Sequence, residues 1–274
     1  MTSVVVTGAA GFLGRFVVAD LASRGFNVIA VSRRRLPGMH FVQDYSQSPA
    51  GDVLIHLAEE PDRRKANGLG QQYLIDASRV VATLSERRSE KMIYASSGVV
   101  YGDENEGPCT VDLPVVGTDV YSKSKVLNER IVLDGGGVVM RLSNLFGDGM
   151  ATNNVLSDII RQVPGDGPVR VRDDQVIRDF LAACDAATAF GLAVQSNYCG
   201  VMNVGSGIGT SVKTLTELIL AAAGQNREIV AAERSPRRSI NVLDISATTK
   251  MLGWAPSLSL KERLSQFLHS GVAS

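Results

Sequence analysis

Short blocks of uninterrupted apolar residues, each closed by glycine or a polar cluster, alternate through the first half of the chain with longer stretches of helical apolar spacing. The blocks Ser3 to Thr7, Asn27 to Ser32, Asp52 to Ala58, Lys91 to Ser97 and Val138 to Leu142 are short and rich in Val and Ile, so they predict strands buried on both faces of a parallel sheet. Met39 to Gln43 adds a further short strand. Phe12 to Arg24, which stops at Gly25, Tyr73 to Arg88 and Val120 to Leu133 predict helices. Strands alternating with helices make βαβ units, and the expected fold is α/β with a doubly wound parallel sheet. Only a loop fits between the second and third strands, so one crossover lacks its helix. The alternation fades after about residue 146, which predicts a sheet domain over residues 1–146, rejoined by about 175–205. A small C-terminal lobe then takes about 147–174 and 206–274.

A chain of 274 residues with 45% hydrophobic content can bury a core of that size. Lys+Arg and Asp+Glu both total 28, and this balance leaves no footprint for nucleic acid or an anionic membrane. Cys109, Cys184 and Cys199 have no metal-ligand spacing, and their odd number argues against a disulfide framework. No metal site is expected. The first residues run into a strand without a signal-like segment, and no apolar run reaches the roughly 18 residues that span a bilayer. A soluble protein of the reducing cytoplasm is the expectation.

The first strand runs into Gly8-Ala9-Ala10-Gly11-Phe12-Leu13-Gly14. Glycines at positions 8, 11 and 14 between strand and helix permit a tight turn and close approach of backbone to phosphate. The helix start then offers N–H donors to a dinucleotide pyrophosphate, as in a Rossmann domain. Phe12, Leu13, and Leu57 and Ala58 at the end of the fourth strand are further cofactor candidates. The second strand ends Val31-Ser32-Arg33-Arg34-Arg35, without the carboxylate that would hold the adenosine ribose hydroxyls of NAD. Ser32 and Arg33 suit a 2′-phosphate instead, which favours NADP(H) and leaves NAD(H) possible. Asp44, after the third strand, is a candidate for the adenine.

Tyr121-Ser122-Lys123-Ser124-Lys125 opens a helix and sets a phenol and an ammonium one turn apart. A lysine cation makes a nearby tyrosine more acidic, so the pair can move a proton near neutral pH. The strand Lys91 to Ser97 ends in Ser96-Ser97, whose hydroxyls could bind a substrate oxygen beside it.

The ordered segments TGAAGFLG, DVLIHLA, YASSGVVYG, YSKSKVLNE, MRLSNLFG, RDF, NVGSG and LDISATTKMLGWAPSLSLKERL cover nearly the whole chain. Together they resemble an extended short-chain dehydrogenase/reductase of the nucleotide-sugar epimerase/dehydratase family. The resemblance implies that Ser97 orients the sugar oxygen, Tyr121 donates or accepts the proton, and Lys125 binds the nicotinamide ribose and tunes Tyr121. Ser96 is the rival serine, but the family's hydroxyl stands four residues before the Tyr-Gly pair, here Tyr101-Gly102. Asn144 matches the asparagine near the substrate phosphates, and Asn154 is a further candidate there. Arg178 and Arg237 or Arg238 match the basic residues that clamp the diphosphate, a bidentate task suited to arginine. Asp185 and Glu129 read as braces of the fold. A homodimer through a four-helix bundle of the helices Tyr73–Arg88 and Val120–Leu133 is also implied.

Departures from the family pattern narrow the chemistry. Gly98 and Val99 replace the acidic pair of the sugar dehydratases, and neither can exchange a proton. Val99 also replaces the cysteine of the epimerase-reductases, and the loop after Gly147 has no histidine. His56, in a strand, reads as structural, and Cys109 as incidental. What remains is one hydride and one proton at a single carbon. Reduction of a 4-keto sugar nucleotide by NADPH is the favoured reaction, with 4-epimerisation through bound NAD as the alternative and a non-catalytic dinucleotide sensor behind both. Glu59-Glu60 follows HLA where the family has small residues, and Asp76 stands at a helix asparagine.

Overall fold

Val4, Val5 and Val6 are all fully buried, because side chains alternate between the two faces of a strand and both faces of this sheet are covered. In the computed structural model, which describes residues 1–87, 89–233, 235 and 239–271, the elements run in an α/β order. They are β1 (Ser3–Thr7), α1 (Phe12–Ser23), β2 (Asn27–Ser32), β3 (His40–Phe41), β4 (Val53–His56), α2 (Arg63–Leu69), α3 (Gln71–Ser85), β5 (Lys91–Ser97), α4 (Val120–Asp134) and β6 (Val138–Leu142). There follow β7 (Asn144–Phe146), α5 (Val155–Ile160), β8 (Val169–Val171), β9 (Ile177–Ala182), α6 (Ala183–Gln195), β10 (Gly200–Val204), β11 (Gly209–Ser211) and α7 (Val212–Ala222). The chain closes with β12 (Ile229–Ala231), β13 (Ile240–Asn241), α8 (Ser246–Leu252) and α9 (Leu260–Gly271).

The central sheet has seven parallel strands in the order β10-β6-β5-β4-β1-β2-β3. Its order reverses between β1 and β4, and a crevice opens where strands diverge at such a switch point. Val4, Val6, Ile55, Ile93 and Met140 pack on one face with Val17 and Leu21 of α1 and Phe190 of α6. Val5, Leu54, Tyr94 and Val139 pack on the other with Val81 and Leu84 of α3 and Val132 of α4. As expected, the chain between β2 and β3 is a loop without a helix.

Three expectations differ in detail. The third strand shrinks to His40–Phe41, because only Val31 and Ser32 of β2 offer it partners. The helix expected at Tyr73 begins at Gln71, and a separate helix, α2, precedes it across Gly70 at a φ of 64°. Its expected last residue, Arg88, lies outside the described residues. The stretch about 175–205 divides between sheets: β10 joins the central sheet, whereas β9 pairs with β7, β11 and β13. A separate core of Phe146, Leu156, Ile159, Phe180, Leu215, Ile219 and Leu264 holds this second region.

The two carboxylates read as braces act so. Glu129 of α4 is ion-paired to Arg141 of β6 at 2.7 Å, with both side chains almost completely buried. Arg141 Nη1 donates to the Tyr101 hydroxyl at 2.7 Å, which in turn donates to Asn203 Oδ1 at 2.8 Å. Asp185 holds Arg263 of α9 at 2.9 Å and accepts from the Ser257 hydroxyl. No described helix is long and apolar enough to cross a membrane.

Candidate active site

The turn after β1 is shaped by what its glycines exclude. Gly8 has a φ of 71°, a left-handed conformation that penalises a side chain. A Cβ on Gly14 would stand 2.1 Å from the Gly8 carbonyl oxygen, so α1 reaches this close only without one. Gly11 caps α1 with no side-chain hydrogen bond, and the first turn carries no acidic residue. The opening N–H groups and the positive end of the helix dipole are thus left for an anion.

A cavity of about 790 Å³ lies over this turn. Of the residues assigned to the cofactor from sequence, Gly8, Gly11, Phe12, Leu13, Gly14, Ser32, Arg33, Leu57, Ala58, Tyr121 and Lys125 all line it. Asp44 does not. Its carboxylate caps the following turn at Ser46 N (2.8 Å) and meets Arg79 of α3 at 2.6 Å. Slight burial opposes its ionisation, but Arg79 and Ser46 outweigh it and hold the carboxyl at about 2. Tyr45 lines the cavity instead, with the Arg33 guanidinium 5.2 Å over its ring. Arg34 folds back onto the Ala10 carbonyl oxygen at 2.8 Å, tying the basic strand end to the glycine turn. The glycine-shaped turn, the helix start without a side-chain cap, Ser32 at the end of β2 and the adjoining Arg33 fit a dinucleotide laid across the switch point.

The chemical end is built where β5 stops and α4 starts. Asp119 caps α4 through Ser122 N at 2.8 Å, while the Ser122 hydroxyl accepts from Asp119 N, so serine completes a capping box usually closed by glutamate. Asn67 of α2 accepts from Tyr121 N at 2.9 Å and fixes the first turn further. Ser97 and Tyr121 line both the large cavity and a second one of about 260 Å³ that shares its wall. The Ser96 hydroxyl donates to Glu129 inside the core, whereas the Ser97 hydroxyl accepts from Val99 N at 3.3 Å and keeps its own proton for a substrate oxygen.

Lys125 is buried, and its Nζ lies 2.8 Å from the Ala95 carbonyl oxygen and 2.8 Å from Glu59 Oε2. Its ammonium stands 5.8 Å from the centre of the Tyr121 ring. Glu59 Oε1 accepts from the Tyr94 hydroxyl at 2.7 Å and from Asn128 Nδ2 at 2.9 Å. Burial opposes the charge on both groups of this pair. Each more than offsets that penalty for the other, so Lys125 titrates above and Glu59 below its ordinary value. Burial pushes His56 down to about 4; its neutral ring bonds the Thr7 hydroxyl at 2.8 Å and stacks on Tyr94, the structural role expected of it.

The substrate candidates differ in how committed they are. Asn144 lines both cavities and donates to the Asp179 carbonyl oxygen at 3.1 Å. Arg178 lines the second cavity, where it meets Asp103 at 3.4 Å and the Ser239 hydroxyl at 3.0 Å. Asn154 borders the large cavity, but its amide caps α5 at Ser157 N and donates to Ala151 O. Arg237 and Arg238 lie outside the described residues. Sequence reading overlooked Arg63, which borders both cavities from the start of α2 and holds Asp119 at 2.5 Å. Its signal was present as an Asp-capped turn directly after a strand end that faces the crevice.

Comparison with known proteins bears out the family resemblance. A family model described as the NAD dependent epimerase/dehydratase family matches residues 4–205. The UDP-glucose 4-epimerase of Pisum sativum is 25% identical, over 94% of this chain and 92% of that protein. The dTDP-4-dehydro-6-deoxyglucose reductase of Escherichia coli is 24% identical, over 97% of this chain and 96% of that one. Among solved structures, RMD from Pseudomonas aeruginosa complexed with NADPH superposes with a TM-score of 0.85 at 25% identity, covering 98% of this chain and 97% of that chain.

Proposed function

The chain belongs to the NAD dependent epimerase/dehydratase family, and within it we propose an NADPH-dependent reductase of 4-keto sugar nucleotides. One observation carries the choice: β2 ends on the cavity at Ser32, with Arg33 directly after it and no carboxylate. A guanidinium and a hydroxyl there are matched to a 2′-phosphate and poorly matched to bare ribose hydroxyls.

The bound nicotinamide supplies the hydride for the carbonyl carbon. The chain supplies the rest. Ser97 donates a hydrogen bond to the carbonyl oxygen, and Tyr121 gives that oxygen its proton as negative charge develops on it. Lys125 holds the ribose side of the cofactor and stabilises the tyrosinate left behind. Asn144 and Arg178 receive the diphosphate, with Arg63 at the same wall. Residues 1–146 would then carry the cofactor, and the later lobe the sugar. A cytoplasmic homodimer completes the reading: α3 packs along α4 and leaves Ile75 half-exposed on its outer side.

The resemblance to UDP-glucose 4-epimerases supports the second reading, 4-epimerisation with retained NAD. Cofactor titration separates the two. NADPH is expected to bind at least about tenfold more tightly than NADH, and Arg33→Ala to lose about 10- to 100-fold in NADPH affinity with little change for NADH, as befits one charge-assisted bond. Equal affinities, or NAD retained through purification, would overturn the reductase and promote the epimerase.

A further inference from the structure

The segment after β4 carries a carboxylate directly beside the lysine of the proton relay. Glu59 and Lys125 side chains are each 7% exposed and stand 2.8 Å apart. We propose that Glu59 is a positioning residue that fixes both the place and the charge of the Lys125 ammonium. The proposal rests on reading Lys125 as the lysine that binds the cofactor ribose.

The geometry makes the case. An ammonium has three donors and no acceptor. Ala95 O accepts one of them, and Glu59 Oε2 faces the ammonium as its ion-pair partner at 2.8 Å, so donor capacity remains for a ligand. Glu59 is itself held from two sides by Tyr94 of β5 and Asn128 of α4, so its carboxylate cannot follow a lysine that strays. The clamp therefore points Lys125 rather than merely meeting it.

The same pair settles the charge. A lysine this deeply buried without a counter-ion would lose its proton, with shifts of up to about 3–5 units known for such sites. The groups facing the pair come from every neighbouring element: His56 of β4, Tyr94 of β5, Tyr73 of α3, and Tyr121 and Glu129 of α4. His56 is neutral near pH 7, because burial pushes it down to about 4. Tyr73 and Tyr94 are pushed upward by burial and stay neutral as well. Glu129 contributes less to Lys125 and is paired with Arg141. Glu59 is thus the group that keeps Lys125 charged.

The sign of the consequence is fixed. Without Glu59, burial lowers the lysine's pKa, so its charge survives at low pH and disappears as pH rises. In Glu59→Gln, NADPH affinity measured by fluorescence without substrate is expected to weaken on the order of tenfold between about pH 7 and about pH 9. The unmodified protein should change less than about twofold over the same range. In Glu59→Gln combined with Lys125→Arg the pH slope should vanish whatever the absolute affinity, because a guanidinium does not deprotonate there. A Glu59→Gln curve parallel to that of the unmodified protein would overturn the proposal. Should that variant fail to fold, Glu59→Asp carries the test, since it keeps a charge but withdraws it from Lys125; an unchanged slope there would equally overturn it. Retained NAD, or equal affinity for NADPH and NADH, would count against the reductase reading alone, and NADH then serves as the probe for the slope.

Discussion

Replacing Tyr121 by Phe is expected to lower kcat on the order of 10³-fold while cofactor affinity stays within about twofold of the unmodified protein, the effect of removing one general acid. The ring is retained, so the packing at the start of α4 survives. The Asp119–Ser122 capping box and the Asn67 contact to Tyr121 N do not involve the phenol and remain in place. What is lost is a hydroxyl that borders both cavities one helical turn from Lys125. Steady-state kinetics paired with cofactor titration checks this. A loss confined to kcat marks proton transfer, and a sensor that merely binds dinucleotide would show no loss at all.

The second large effect is on stability. Arg141→Met should destabilise the protein by about 3–5 kcal/mol, because it strands the Glu129 carboxylate in the core. Arg141 is 4% and Glu129 3% exposed, so water cannot replace the lost partner. Three neighbours would be disturbed at once, since Ser96 donates to Glu129 and the Tyr101–Asn203 pair leans on Arg141. Adding Glu129→Leu should recover most of the loss, as both charges then leave the interior together. Urea unfolding of the two single variants and the double variant measures this coupling directly. A simple sum of the single losses would show that the ion pair is not the cause.

Much of the central sheet was legible because its strands are buried on both faces. Val4 to Val6 or Val53 to Ile55 then read as short solid apolar blocks, and several strand limits agree with the structure residue for residue. Helix α2 escaped for the opposite reason. Its sequence RRKANGL buries only Ala66 and offers no apolar period to detect. The second region was opaque as well: β8, β11, β12 and β13 have two or three residues each, and partners distant in sequence decide whether they are strands.

The site divides along the same line. Ser97, Tyr121 and Lys125 could be read together because a strand end and a helix start in one βαβ unit face one crevice. The glycines declared themselves through spacing. Asp44 misled, because its partner Arg79 comes from a helix whose facing residues the local sequence does not reveal. Glu59 stood out as a carboxylate where small residues are usual, yet only the fold sets it against Lys125. Contacts across many residues of chain were the unreadable part.

One assay tests the central claim most directly: NADPH absorbance followed after mixing the purified protein with a nucleoside-diphosphate 4-keto-6-deoxyhexose. The account predicts NADPH oxidation equal to the 4-hydroxy sugar nucleotide formed, and almost none with Tyr121→Phe. Unchanged NADPH, together with conversion of a UDP-hexose to its 4-epimer by protein that retains NAD, would contradict it.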